Sequence, residues 1–243
     1  MKKLNFRIGL GLVLLAGLLP SLTASAQMPD VGGFDSAMIK LFGDNPSFTA
    51  QADVRVMNSN RVVWLQMPSV FAVGDAKLRV DVDIKRIKSS SLNSATINML
   101  TQAGMDRITS VIRPDKRATF LIYPGKKSFV AMPLAVEDAQ FAAQRVEKKA
   151  LGRETVDGHA CVKNLSTVKS SKGVALLQAT TWNAADLRDF PIQIEMREGG
   201  NATVMHFQNV NLTKPDPRLF DIPAGYKDET VPQITKPAGK KKK

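Results

Sequence analysis

The chain is poor in the residues that usually carry chemistry. Its single cysteine, Cys161, excludes an intramolecular disulfide, so stability must come from burial and backbone pairing. A lone strand cysteine reads first as a small buried apolar residue. There are two histidines. His159 and Cys161 make a His-x-Cys pair, two ligands where a zinc site needs three or four, so no metal and no cofactor are expected. A Cys-His nucleophilic pair would need His206 beside Cys161 and a third group to orient it. No glycine-rich phosphate loop or nucleophile elbow occurs, since Gly32-Gly33 lacks the strand that should precede it. With two tryptophans and two tyrosines the chain has little to stack bases on.

What is present at the start is an export signature. Lys2, Lys3 and Arg7 form a basic region, residues 8–19 an apolar stretch, and Ala24-Ser25-Ala26 a small-residue cleavage site. The stretch falls short of the ~20 residues a bilayer-spanning helix needs. Cleavage is expected between Ala26 and Gln27. A lipoprotein would carry cysteine at position 27, so the product is expected free in the periplasm, without a lipid.

Charge is concentrated at the other end. Of the formal +12, three belong to Lys2, Lys3 and Arg7 and five to Lys236, Lys240, Lys241, Lys242 and Lys243, leaving about +4 on the body. That distribution argues against a nucleic-acid partner. The lysine tail reads as a solvated end that either contacts an anionic membrane surface or only aids solubility.

The body is patterned for strands. Phe48, Ala50, Ala52, Val54 and Val56 alternate with polar residues, as do Leu78, Val80 and Val82, and Ile192, Ile194 and Met196. Turn signals separate them at Asn58 to Asn60, Gly74-Asp75, Pro114-Asp115, Pro124-Gly125, Asp157-Gly158, Lys172-Gly173 and Glu198 to Asn201. Such spacing favours antiparallel hairpins with one wet face over βαβ units. Three helices are expected: residues 35–42 with Asp35 as N-cap, residues 91–103 stopped by Gly104, and residues 136–146. Packed on one side of the sheet, they give an antiparallel α+β architecture. Arg61 to Val73 and Ala118 to Tyr123 are apolar on both parities, so they touch either two protein layers or one layer and a ligand. Phe220 and Tyr226 flank Pro223 and Gly225, so the last extended segment can fold back over an open sheet edge, with Phe220 in the core.

Residues 151–226 carry a resemblance. Gly152-Arg153-Glu154-Thr155-Val156-Asp157-Gly158-His159-Ala160-Cys161, then Trp182, Asp186-Leu187, Phe190-Pro191-Ile192 and the closing Leu219-Phe220-Asp221-Ile222-Pro223-Ala224-Gly225-Tyr226 resemble, in order and spacing, exported proteins of the LolA-like class, in particular its DUF4412 group. The N-terminal half resembles it in style, through alternating strands and the Met67-Pro68 and Met132-Pro133 turns. The resemblance implies a strongly curved, incomplete β-barrel with helices on its concave face. Between them it implies an apolar cavity of the kind that holds acyl chains in proteins ferrying lipids or lipoproteins. The resulting division is a signal peptide over 1–26, a helical segment over 27–46, a LolA-like domain over 47–227 and a basic tail over 228–243.

The expected function is therefore non-enzymatic: a periplasmic carrier or chaperone binding a lipid, a lipoprotein acyl chain or another amphiphile. Trp64, Met67, Phe71, Leu100, Phe120 and Trp182 are the cavity candidates. Met57, Met67, Met99, Met105, Met132, Met196 and Met205 would line a cavity or fill an ordinary core equally well. The alternative is an envelope interaction module with a closed core, using its wet face and Lys240 to Lys243. An enzyme is least supported, a Cys161-based hydrolase being its one form. Asp81 and Asp83 share a face with Lys77, Arg79 and Lys85 and read as a solvated surface rather than an acid-base pair.

Overall fold

The computed structural model of the chain describes residues 36–43, 47–134 and 141–230. The expected export signal, the Asp35 cap and the lysine tail lie outside them. In chain order the strands are β1 (Phe48–Met57), β2 (Val63–Gly74), β3 (Lys77–Asp83), β4 (Lys88–Ser89), β5 (Arg107–Arg113), β6 (Ala118–Tyr123), β7 (Ser128–Pro133), β8 (Arg145–Val156), β9 (His159–Lys169), β10 (Ala175–Ala184), β11 (Phe190–Glu198), β12 (Asn201–Asn211) and β13 (Lys227–Asp228). Helix α1 (Ser36–Leu41) precedes β1, and α2 (Ser94–Gln102) lies between β4 and β5. All thirteen strands belong to one sheet, ordered β13-β7-β6-β5-β3-β2-β1-β12-β11-β10-β9-β8, with β4 also on β2. Its pairings are antiparallel except for β13, which lies parallel to β7.

The hairpin turns fall where the sequence places them. Asp157-Gly158 (φ 49° and 83°) and Gly199-Gly200 (φ 54° and 86°) are two-residue loops with both residues left-handed. That geometry follows the right-handed strand twist. Helix α2 starts at Asn93, whose side chain accepts from the Thr96 N–H. It ends in a Schellman motif: Gly104, at φ +69°, donates to the Thr101 carbonyl and Met105 to the Leu100 carbonyl.

One sheet face carries the core. Ala37, Met38, Ile39, Leu41 and Phe42 of the α1 segment are all at most 4% exposed and join Phe48, Val54, Met67, Phe71, Phe190, Ile194, Met205 and Phe207 in one cluster. Phe42 packs its ring 4.6 Å from Phe48, 5.6 Å from Phe190 and 5.5 Å from Phe207, centroid to centroid. A buried polar ladder continues this face across β9 and β10: Ser166 and Thr181 hydroxyls pair at 2.9 Å, Thr181 donates to Asn183 Oδ1 at 2.7 Å, and Asn164 donates to the same oxygen at 3.1 Å. Asn183 then donates to the Asp189 carbonyl.

The other face is covered at one end by the chain after β12. Phe220 sits on Ala72, Val111 and Ile122, with Phe120, Phe129, Ile222 and Tyr226 around them. Arg113, 7% exposed at its side chain, pins this segment by donating to the Phe220 carbonyl and Asp221, while its guanidinium also holds Asp115. Arg79 donates to the Leu219 carbonyl. The return ends on the edge of β7, where Lys227 donates to the Lys127 carbonyl and Glu229 to that of Phe129. Ala118 to Tyr123 is apolar on both parities because it touches two protein layers: Phe120 and Ile122 meet this return, and Leu121 and Tyr123 pack with Val130 on the opposite side.

The strongly curved, incomplete β-barrel with helices on a concave face is not what the chain forms. The sheet is open and not strongly curled. Closure would require β8 to pair with the far edge, but β8 is exposed along almost its whole length and the outer edge of β7 is taken by β13. Nor do three helices line one side. Among the described helices α1 crosses the core face, whereas α2 is docked through its C-terminal end onto the β6–β7 turn, with Leu100 as its one buried residue. Of the expected helix over 136–146, residues 136–140 lie outside the described residues, 141–143 form a single 3₁₀ turn, and Arg145 and Val146 begin β8.

Candidate functional site

The six cavity candidates do not share one lining. Met67, Phe71 and Trp182 are at most 5% exposed and belong to the large core cluster. Trp182 is further tied by its indole N–H to Glu154 at 2.6 Å, with the Lys163 ammonium 4.9 Å from its ring centroid. Phe120 packs 6.2 Å from Phe129 under the C-terminal return. Leu100 is buried on α2. Trp64, half-buried, has the parity of β2 opposite to Met67 and Phe71. Of the seven methionines, Met67 and Met205 are buried, and Met99 is 47% exposed.

A concavity among the described residues lies on the polar face. It is a recess of about 630 Å³ over the centre of the sheet. Strand register assembles it. Gln208, Gln51, Val70, Asp81 and Thr109 stand in a row across β12, β1, β2, β3 and β5, and His206, Asp53 and Pro68 form the next row. Each is a wet-face residue of an alternating strand, so the periodicity that buries Val54 or Val80 delivers these side chains to the recess.

A break in pairing deepens it. Strand β3 pairs with β2 from Ser69 onwards and β4 pairs with Leu65 and Gln66, so neither reaches Met67 and Pro68. Proline has no N–H to offer a neighbour, which suits Pro68 to that unpaired stretch. Met67-Pro68 is therefore the middle of a strand rather than a turn. Beyond it the chain leaves β3 through a 3₁₀ turn, Ile84–Arg86, capped by the Asp83 carboxylate. The Ile84 N–H bonds the Asp106 carbonyl at 2.8 Å, which sets Arg86 and Arg107 at the same rim.

The carboxylates of the recess are already occupied. Asp53 accepts from Arg55 at 2.6 Å and from Gln66 at 2.9 Å. Asp81 accepts two bonds from Arg79, both 2.7 Å, and a third from the Thr109 hydroxyl at 2.5 Å. Asp83 accepts the Lys85 N–H at 3.0 Å. Beside the rim, the Lys85 ammonium holds the Asp106 carboxyl below the usual carboxylate range, with Arg107 adding to the effect. Asp81 and Asp83 line the recess, held by Arg79 and Lys85 of their own segment, with Thr109 of β5 added to Asp81.

The thiol and the two histidines each have their own partners. Cys161 is 3% exposed, its Sγ donates to the His159 carbonyl at 3.4 Å, and burial pushes the thiol up, keeping it protonated. His159 Nδ1 stands 2.7 Å from Asp186, and His206 Nε2 stands 2.8 Å from Asp157. The two histidines thus have separate carboxylate partners. Among the described residues no group of three or more His, Cys, Asp or Glu is placed to hold a metal ion, and no helix is long and apolar enough to cross a membrane.

No protein-family model matches the chain, and no curated protein matches it. Solved structures do. The crystal structure of a LolA superfamily protein from Nitrosomonas europaea is similar over 78% of this chain and 98% of its own, at a TM-score of 0.38 and 10% identity. The lipoprotein LppX of Mycobacterium tuberculosis matches over 74% of this chain and 93% of its own, at 0.36 and 10%. LprF from Mycobacterium bovis matches over 75% and 96%, at 0.35 and 12%.

Proposed function

We propose that the chain is a non-enzymatic binding protein of the cell envelope that holds an amphiphile, a lipid or a lipoprotein acyl chain with its head group, in the recess on the polar sheet face. The observation that carries this is the outer side of β2. Ala72 is capped by Phe220, whereas Val70, one pleat away, is 44% exposed in mid-strand, with Pro68 beside it and charged side chains around both. An apolar floor with a charged rim suits a molecule that has both characters. The site differs from the one first expected, because the space between α1 and the sheet is filled by phenylalanine packing. Removal of residues 1–26 on export, without lipidation at Gln27, would place the protein free in the periplasm.

Organic extraction of the mature chain purified from its own envelope, followed by mass spectrometry, tests this. A bound amphiphile that is lost from folded Val70→Asp is expected. A clean extract from folded wild-type protein overturns the reading.

The packed core favours a second reading, an interaction module whose polar face and Lys240 to Lys243 contact an anionic surface. Deleting residues 236–243 should then weaken retention on phosphatidylglycerol vesicles at low salt; unchanged retention removes the tail from the mechanism.

A further inference from the structure

We infer that the recess selects an anionic head group, an oxyanion such as a phosphate or carboxylate, and that Arg86 and Arg107 are the residues that read it. This rests on the amphiphile reading of the recess and adds the sign and class of the head group.

The argument is an inventory of donors and acceptors. Asp53, Asp81 and Asp83 each accept from a donor of the chain itself, and Asp81 accepts three times. A cationic head group would have to displace these partners, two of which form a bidentate arginine clamp. The guanidinium donors are placed the other way. Arg79 is committed to Asp81 and to the Leu219 carbonyl, and Arg55 to Asp53. Neither the Arg86 nor the Arg107 guanidinium has a hydrogen-bond or ion-pair partner among the described residues, and both line the recess. Arg107 acts on the Asp106 carboxylate only through its field, that carboxylate being bonded by Lys85.

Position matches chemistry. Arg107 is the register partner of Asp83, the last residue of β3, and Arg86 ends the 3₁₀ turn that Asp83 caps. The Ile84–Asp106 backbone bond ties the two segments together. Two planar donor forks therefore approach one rim from adjacent segments, a few residues from the apolar floor at Pro68 and Val70. A phosphate or carboxylate there takes up donors that are otherwise idle, while its chain lies on the floor.

The test is isothermal titration of the mature chain with probes kept below their micelle concentrations. Dodecyl phosphate, laurate, dodecyl maltoside and dodecyltrimethylammonium share one tail and differ in head, and inorganic phosphate lacks the tail. Either anionic amphiphile should bind at least about tenfold more tightly than dodecyl maltoside, as charge-assisted bonds to two arginines allow. Which anion leads separates a phosphate source from a carboxylate source. Arg86→Gln with Arg107→Gln should bring the anionic and neutral probes to within about threefold of each other. The paired Arg→Lys variant should keep most of the preference, and circular dichroism melts should match wild type. An unchanged preference in the Gln variant, or tighter binding of the cationic probe, overturns the head-group assignment and leaves the amphiphile reading standing. Inorganic phosphate binding as tightly as dodecyl phosphate keeps the anion site but removes the amphiphile; no binding of any tailed probe removes both.

Discussion

Gly104 and Gly125 meet backbone to backbone: a Cβ on Gly125 would stand 2.7 Å from the Gly104 carbonyl oxygen, and one on Gly104 would stand 2.9 Å from the Gly125 carbonyl carbon. This contact seats the end of α2 on the turn between β6 and β7, and neither side can yield because both are main chain. Gly125→Ala should therefore destabilise the fold by about 1–3 kcal/mol, the scale of overpacking. Gly104→Ala should cost about 1 kcal/mol more for its left-handed φ. Urea melts measure both, and an unshifted midpoint for Gly125→Ala would show that the turn is not seated there.

Phe220→Ala empties the centre of the small cluster under the C-terminal return and should cost about 3–5 kcal/mol. Because Phe220 holds that return on the sheet, proteolysis should then cut between residues 212 and 226 first. Limited trypsin digestion with mass mapping reads this, the Arg218–Leu219 bond being the site, since Pro215 protects Lys214.

Asp115 gives the chain a predictable acid limb. The Arg113 guanidinium bonded to it keeps its carboxyl below the usual range, against a smaller opposing effect of burial. A group depressed in the folded state contributes in full above its unfolded pKa, about 4, and its contribution is lost as pH falls through the folded value. Tm should therefore fall below about pH 4. Asp115→Asn should lower Tm at pH 7 and flatten part of that fall; an identical profile would detach the pair from stability.

The buried ladder of β9 and β10 should be intolerant of apolar replacement. Asn183→Leu removes the acceptor shared by the Thr181 hydroxyl and the Asn164 amide, which keep only Ser166 and the Val162 carbonyl, and it leaves the Asp189 carbonyl without its side-chain donor; the change should cost about 1–3 kcal/mol. A denaturant midpoint within error of wild type would mean that water replaces the lost partner.

Cys161 should behave as packing. In native protein at pH 8 its thiol should react with Ellman's reagent far more slowly than in guanidinium, because burial disfavours the thiolate. Fast native labelling would reopen the thiol hydrolase.

Local structure was legible in the sequence where one residue's chemistry decides it. Asp157-Gly158 and Gly199 with Gly200 dictate their turns, Gly104 stops α2, and the alternation of β1, β3 and β11 names the inward residues correctly. Lateral order was not. Nothing in 48–57 announces that β1 pairs with β12, and hence that Asp53 meets His206. The overall curvature was inferred from the motifs of 151–226, which govern hairpins and edges rather than the bend of a whole sheet. The recess was missed for the same reason. Asp81 looks like ordinary wet surface until β5 brings Thr109 and β1 and β2 bring Gln51 and Val70 beside it. Apolar strands drew attention to the packed interior, whereas the unusual signal was a proline in mid-strand, Pro68, with an exposed valine two residues on.

The pairing of β1 with β12 also has a meaning in time. A chain that emerges from its N-terminus presents β1 early, and β2 can join it at once through a short turn. Its other edge has no partner until β12 arrives. The middle of the sheet is therefore completed late, after both flanks have had the chance to form their own hairpins, and the rate-limiting event is the meeting of two halves. Until that moment the recess does not exist, because one wall, His206 and Gln208, has not yet joined the sheet.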